Sequence, residues 1–123
     1  MKTVSVDFDG VIHAYSKGWK DGTCYDPPMP GAIEGLRQLM MEFTVFILST
    51  RNPRQIQVWL QEHAPDLVTQ IVPETVQFWN QHGVLGITQR KLPAMVYVDD
   101  RGYLFKDWES VMVDRIGFAS YPK

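Results

Sequence analysis

The stretch that decides the fold is Thr3-Val4-Ser5-Val6-Asp7-Phe8-Asp9-Gly10. Its β-branched residues stop at acids and a glycine, which predicts a buried strand running into a loop. Two later apolar runs of strand length also end in polar residues: Val45-Phe46-Ile47-Leu48 precedes Ser49-Thr50-Arg51, and Met95-Val96-Tyr97-Val98 precedes Asp99-Asp100. Uninterrupted apolar strands are typical of a parallel sheet with both faces covered.

Helical patterns fill much of the chain between and after these strands. Start signals and apolar spacing predict helices over residues 30–43, 52–63, 73–83 and 108–116. Brief strands are predicted over 84–87 and 103–105. The alternation predicts an α/β fold: a three-layer, open, mostly parallel sheet of Rossmann-like type with helices on both faces. The length predicts a single domain over residues 1–123.

Residues 14–30 are predicted to form a long ordered loop, because glycines and prolines interrupt the apolar spacing there. Loops of this length usually carry function. We expect a small flap beside the strand ends, in which Tyr15, Trp19 and Tyr25 either pack internally or stack on a substrate.

Composition excludes several classes of protein. The chain has 12 Lys and Arg against 14 Asp and Glu, a net charge of −2, so no overall positive field attracts polyanions or membrane surfaces. Cys24 is the single cysteine and cannot form an internal disulfide, which is typical of a reducing compartment. No apolar run reaches 18 residues, so we expect a cytoplasmic protein without a membrane segment. No feature indicates a protein partner.

The polar residues after the strands are expected to meet in one crevice, since ligands of open α/β sheets bind beyond the carboxyl ends of the strands. The candidate set combines carboxylates, hydroxyls and cations, which suits a divalent metal and a phosphate. Its members are Asp7, Asp9, Ser49, Thr50, Arg51, Lys91, Asp99 and Asp100. Zinc is not expected, because His13, His63 and His82 lack ligand spacing and are predicted at surface or helix-end positions. The alternative for His13 is a contact with substrate, because it follows closely after Asp7 and Asp9.

Asp7 and Asp9 have the spacing for phosphoryl chemistry. Residues two apart in a strand lie about 6.6 Å from each other on one face, so a phosphoryl group fits between the two carboxylates. Asp7 is best placed to attack phosphorus and Asp9 to protonate the departing oxygen. Gly10 allows a sharp turn that brings main-chain N–H groups near a bound anion.

Several roles stay open on the residues alone. Arg90 competes with Lys91 for the cationic role, and Thr50 competes with Ser49 for the phosphate-binding hydroxyl. Arg51 either makes a bidentate phosphate contact or is an exposed surface residue.

Four segments in this order resemble the motifs of the haloacid dehalogenase-like phosphohydrolase superfamily. They are Val6-Asp7-Phe8-Asp9-Gly10-Val11, Ile47-Leu48-Ser49-Thr50-Arg51, Lys91, and Val98-Asp99-Asp100-Arg101. The Ser-x-Arg and Asp-Asp-Arg segments further resemble the phosphatase half of phage polynucleotide kinases. The resemblance implies a Mg²⁺-dependent phosphatase that forms a phosphoaspartate on Asp7.

The same resemblance implies the remaining roles. Asp9 protonates the leaving group and later activates water, Ser49 holds phosphate oxygens, and Lys91, which precedes a proline-containing turn, neutralises charge. Mg²⁺ would sit on Asp7, the carbonyl of Asp9 and Asp100, while Asp99 orients a metal-bound water or Lys91. No insertion is long enough for the large cap domain common in this superfamily. The open crevice suits a phosphorylated small molecule or a nucleic-acid terminus, or closure by a second copy of the chain.

A signalling receiver domain is the alternative interpretation, because it also places acids, a hydroxyl and a lysine around Mg²⁺ and accepts phosphate on aspartate. The order of the residues separates the two. A receiver carries its acidic pair after the first strand, whereas here Asp99 and Asp100 come last.

Overall fold

The fold is an α/β sheet structure, seen in a computed structural model that describes residues 2–19, 21–99 and 103–120. The described residues form six strands, three α-helices and a short 3-10 helix. Along the chain these are β1 (Thr3–Asp7), α1 (Ala32–Glu42), β2 (Thr44–Leu48), α2 (Pro53–His63), β3 (Thr69–Ile71), β4 (Leu85–Thr88), β5 (Val96–Asp99), β6 (Tyr103–Leu104), α3 (Trp108–Asp114) and the 3-10 helix Arg115–Ser120.

The strands form one open sheet in the order β3-β4-β2-β1-β5-β6, and each pair of neighbours is parallel. The predicted α/β class and open, mostly parallel sheet are confirmed. β1 lies at the centre, with β2 on one side and β5 on the other. The three strands that end in polar residues are therefore neighbours, which brings their carboxyl ends together.

Local signals set the limits of the longer helices. The Asn52 side chain accepts a hydrogen bond from the Arg54 amide, and Pro53 occupies the first turn, so α2 begins where the sequence predicts. Before α1, Gly31 adopts a φ of 80°, a conformation that favours glycine. The predicted helices over 30–43 and 52–63 are confirmed within two residues.

All three described α-helices pack on the same face of the sheet. The core on that face combines Val4 and Val6 of β1 with buried residues from each helix, including Leu36, Ile56 and Trp108. The prediction of helices on both faces is therefore wrong for the described residues. For α1 and α2 the reason is that two consecutive crossovers, β1 to β2 and β2 to β3, move in one direction along the sheet, and right-handed crossovers then lie on one side.

The opposite face is covered by irregular chain. Trp79, which is 2% exposed, packs with Phe46, Val72 and Leu92 in a second, smaller core. A Cβ built at Gly86 would lie 2.8 Å from the Trp79 ring, so this glycine lets the indole approach the sheet. The predicted helix over 73–83 is wrong, because the apolar residues of that segment cover the sheet without forming a helix.

Residues 14–19 and 21–30 run as irregular chain, as predicted for this loop. Its internal hydrogen bonds include the Tyr25 hydroxyl, which accepts from the Lys17 amide at 2.8 Å and donates to the Gly18 carbonyl at 2.6 Å.

In the part of the chain that is described, none of the helices combines the length and the apolar character needed to cross a membrane.

Candidate functional site

A cavity of about 510 Å³ opens at the carboxyl ends of β1, β2 and β5. This volume lies within the ordinary range of ligand sites. Six of the residues predicted for the site line this cavity. These are Asp7, Asp9, Ser49, Thr50, Lys91 and Asp99. Residues from four distant stretches of the chain therefore meet in one place, as the strand-end argument predicts.

Asp7 and Asp99 come together through the register of β1 and β5. Val6 pairs with Val98, and the next residue on each parallel strand is an aspartate. Neighbouring strands lie about 4.8 Å apart, and the Asp7 and Asp99 side chains leave the sheet on the same face. Two carboxylates that can bind a metal therefore lie side by side. Asp100, which the resemblance makes the direct metal ligand, lies outside the described residues.

The chain turns sharply after Asp7. The Phe8 carbonyl accepts hydrogen bonds from the amides of Val11, Ile12 and His13, at 3.3, 2.8 and 2.9 Å. Gly10 takes a φ of 78° inside this turn. Its amide donates to the His13 carbonyl at 2.8 Å, so the N–H predicted to face an anion is used within the turn.

Ser49 and Thr50 reach the cavity from the end of β2. The Ser49 side chain is nearly buried, and its Oγ accepts from the Arg51 amide at 3.1 Å, so its O–H can still donate to a ligand. Gln89, which the sequence analysis missed, donates from Nε2 to the carbonyls of Thr50 and Arg51, at 3.2 and 3.1 Å. Gln89 therefore holds this loop in place while also lining the cavity.

Lys91, and not Arg90, lines the cavity. The Lys91 Nζ atom lies 4.8 Å from the centre of the Tyr97 ring, within the range of a cation–π contact. Arg90 instead donates from Nη2 to the carbonyls of Pro73 and Val76, both at 2.8 Å. The alternative that Arg90 supplies the cation at the site is therefore not supported by its position.

Arg51 is buried beside Asp9 and is only 1% exposed, which rules out the exposed-surface alternative. Its Nε atom lies 2.8 and 2.9 Å from the two carboxylate oxygens of Asp9. Its Nη1 atom donates to the carbonyls of Gly22 and Thr23. The guanidinium thus links an acid of the site to the loop that the sequence predicts as a flap, while its predicted phosphate contact stays a prediction.

His13 is fully buried, contrary to the surface or helix-end position predicted for it. Its Nδ1 atom lies 3.0 Å from Asp9 Oδ1, and its Nε2 atom lies 3.0 Å from the Asp26 amide nitrogen. The ring stacks on Phe8, with centres 5.2 Å apart and planes inclined by 5°. The only signal in the sequence was its place four residues after Asp9, across the turn.

Asp26 closes the loop over this histidine. Its carboxylate accepts a hydrogen bond from the Ser16 amide, and hydrogen bonding to the Ser16 side chain and amide lowers the pKa of Asp26 below its ordinary value. Its carbonyl accepts from Trp59 Nε1 at 2.8 Å, which fixes the loop to α2.

Cys24 lies half-buried in the same loop. Burial raises the pKa of its thiol, an effect that the nearby Arg51 charge partly offsets. A raised pKa makes Cys24 a poor nucleophile at neutral pH.

The carboxylates of the described residues form no metal centre by themselves. Within residues 2–19, 21–99 and 103–120, no group of three His, Cys, Asp or Glu side chains has the arrangement of a metal site. Two aspartates at neighbouring strand ends do supply the oxygen ligands that Mg²⁺ accepts alongside water and phosphate.

Comparison with known proteins adds no relative: no protein-family model, curated protein or solved structure matches this chain.

Proposed function

We propose that this protein is a Mg²⁺-dependent phosphomonoester hydrolase of the haloacid dehalogenase-like kind, working through a phosphoaspartate on Asp7. The observation that carries the proposal is the single cavity lined by Asp7, Asp9, Ser49, Lys91 and Asp99. Phosphoryl transfer requires a positioned nucleophile, hydrogen-bond donors and positive charge around the transferred group. Each of these requirements has a residue in this cavity.

In the first step, a carboxylate oxygen of Asp7 attacks phosphorus while the bond from phosphorus to the leaving oxygen breaks. Asp9 gives a proton to that oxygen, so that the alcohol departs neutral. In the second step, Asp9 takes a proton from water, and the resulting hydroxide attacks phosphorus. Inorganic phosphate leaves and the Asp7 carboxylate is restored.

The other residues of the cavity bind the phosphoryl group and offset its negative charge. Ser49 donates its O–H to a phosphate oxygen, and Lys91 offsets the negative charge of the phosphoryl group. Asp7, the main-chain carbonyl of Asp9 and Asp100 are the groups that would hold Mg²⁺, with Asp99 beside them to orient a metal-bound water or Lys91. A bound Mg²⁺ would neutralise the phosphate oxygens and the neighbouring carboxylates.

The substrate class follows from the shape of the site. The cavity is open and no large cap domain covers it among the described residues, so we infer a phosphorylated small molecule such as a nucleotide, or a nucleic-acid terminus. Lys91 and any bound Mg²⁺ supply the local positive charge that the net charge of −2 does not.

The proposal is tested by phosphate release from nucleotides, sugar phosphates and 3′-phosphorylated oligonucleotides, with Mg²⁺ and with a chelator. We expect Asp7→Asn to lower the rate at least about 10³-fold, because the amide cannot serve as the nucleophile. Asp66→Asn, which alters an exposed carboxylate paired with Arg37, is the matched control and should keep the wild-type rate.

Two outcomes would contradict this function. Phosphate release that survives Asp7→Asn unchanged would exclude Asp7 as nucleophile. A stable aspartyl phosphate that forms without release would instead support the receiver-like alternative.

A further inference from the structure

Arg51 and His13 surround Asp9 from outside the cavity. Both side chains are buried, and neither is among the described residues that line the cavity. We propose that Arg51 and His13 are positioning residues, which hold the Asp9 carboxylate in one orientation at the cavity edge and tie that orientation to residues 22–26. This inference rests on the proposed function, in which Asp9 carries the proton.

The geometry of Arg51 permits one arrangement. Its planar guanidinium places Nε between both oxygens of Asp9 and Nη1 against the carbonyls of Gly22 and Thr23. The Arg51 Cζ atom lies over the Trp19 ring, 4.6 Å from the ring centre. Because guanidinium donors form a rigid fork, Arg51 cannot turn away from Asp9 without also losing its contacts to the loop.

His13 limits Asp9 from the other side. A backbone amide only donates, so the Asp26 N–H requires Nε2 of His13 to be the acceptor. The ring proton is then on Nδ1, which donates it to Asp9 Oδ1. Stacking on Phe8 and the edge contact with Trp59 keep the ring in this plane.

The two side chains also join Asp9 to the loop as one unit. Arg51 holds the carbonyls of residues 22 and 23, and His13 holds the amide of residue 26. A movement of residues 22–26 therefore changes the donors around Asp9, and a movement of Asp9 releases these residues. The Asp9 side chain is still 18% exposed, so its carboxylate can contact a ligand in the cavity.

The first test compares two leaving groups. An alkoxide leaves poorly without a proton, whereas nitrophenolate leaves well, so misplacing a proton donor should affect the alkyl substrate more. For Arg51→Met and His13→Gln we expect kcat to fall about 100-fold on β-glycerophosphate and less than about tenfold on p-nitrophenyl phosphate, with KM unchanged. His13→Asn, whose amide nitrogen takes the place of Nδ1, should recover much of the loss.

Exposed residues of the same type provide the controls. Arg54→Met and His82→Gln should leave both substrates at the wild-type rate, since these side chains lie outside the cavity. An equal loss on the two substrates in Arg51→Met and His13→Gln would overturn the proposal.

The second test asks whether Arg51 acts through Asp9. In an Asp9→Asn background, Arg51→Met should lower kcat less than about threefold further, because residues that act as a unit are not additive. If the losses in kcat of the two single variants multiply in the double variant, Arg51 acts independently of Asp9 and the proposal is overturned.

The third test measures amide hydrogen exchange and does not depend on activity. Exchange within residues 22–26 should rise at least about tenfold in Arg51→Met and in Asp9→Ala, with α1 unchanged. If either variant fails to fold, Arg51→Lys replaces it, since lysine keeps a cation near Asp9 but loses the Nη1 donor. Unchanged exchange in Arg51→Lys would overturn the coupling, even if the wild-type protein releases no phosphate and the proposed function fails.

Discussion

At the scale of single residues, Asp9 shows how much of a site depends on its surroundings. Its partner Arg51 is 42 residues away in the chain, and its partner His13 sits across a tight turn. The contact with His13 arises because the Phe8 carbonyl accepts three amides and turns the chain back, whereas the contact with Arg51 arises because β2 ends beside β1. The acid itself was predicted from its spacing to Asp7.

Asp26 provides a prediction on pH. Its pKa lies below the ordinary carboxyl value near 3.8, because the ionised group accepts a hydrogen bond from Ser16. This stabilisation is fully present above the ordinary pKa and is lost as pH falls through the lowered value. The melting temperature of the wild type should therefore exceed that of Asp26→Asn at pH 6, and the difference should shrink towards pH 2.

Thermal unfolding followed by circular dichroism at several pH values measures this difference. Glu62→Gln, at an exposed position of α2, is the control and should show no comparable convergence. A difference between wild type and Asp26→Asn that stays constant from pH 6 to pH 2 would contradict the assignment.

At the scale of elements, helices with strong local signals were predicted well and short or irregular segments were not. α2 carries its own cap and first-turn proline, so its start does not depend on distant contacts. β3 was missed because it has only three residues at the edge of the sheet, without an apolar run. Residues 73–83 contain apolar side chains, but these are used to cover the sheet.

The packing of α1 on α3 leads to a second prediction. Gly35 lies in α1 against Trp108, and a Cβ at this position would overlap the indole ring. Alanine would gain about 1 kcal/mol of helix propensity, but overpacking in a core costs about 1–3 kcal/mol. We expect Gly35→Ala to lower the free energy of unfolding by about 1 kcal/mol or more, because Trp108 is held by a hydrogen bond to the Val11 carbonyl.

Urea denaturation measures this change. Gly117→Ala is the matched control, since a Cβ there would have no neighbour within 4 Å, and it should be neutral or slightly stabilising. A Gly35→Ala protein that is more stable than wild type would show that Trp108 can move aside.

At the scale of the whole molecule, the two faces of the sheet are covered in different ways. Helices bury one face, while one tryptophan and its neighbours bury the other. Trp79 also accepts a hydrogen bond at its carbonyl from the Thr3 hydroxyl at 3.0 Å, and the Thr3 and Thr44 hydroxyls lie 2.6 Å apart, which joins this cover to β1 and β2. The cavity lies on this second face, since Ser5 and Asp7 point to the side opposite Val4 and Val6.

Removing the Trp79 side chain should therefore destabilise the whole fold. We expect Trp79→Ala to lower the free energy of unfolding by about 3–5 kcal/mol, because a large buried side chain would leave a cavity over the sheet. Trp19→Ala, at a position 46% exposed, should cost much less. Chemical denaturation of both variants measures the contrast, and equal losses would contradict the role given to Trp79.

The sequence alone determined the parallel α/β sheet, the two longer helices and the acids, hydroxyls and lysine that meet at the strand ends. These follow from local periodicity and from the rule that parallel strands end at a common edge. Only the tertiary structure decided that the helices share one face, that Lys91 and not Arg90 reaches the cavity, and that Arg51 and His13 enclose Asp9. Such contacts join residues far apart in the chain or across a turn, and no local pattern encodes which way a side chain points once the core has formed.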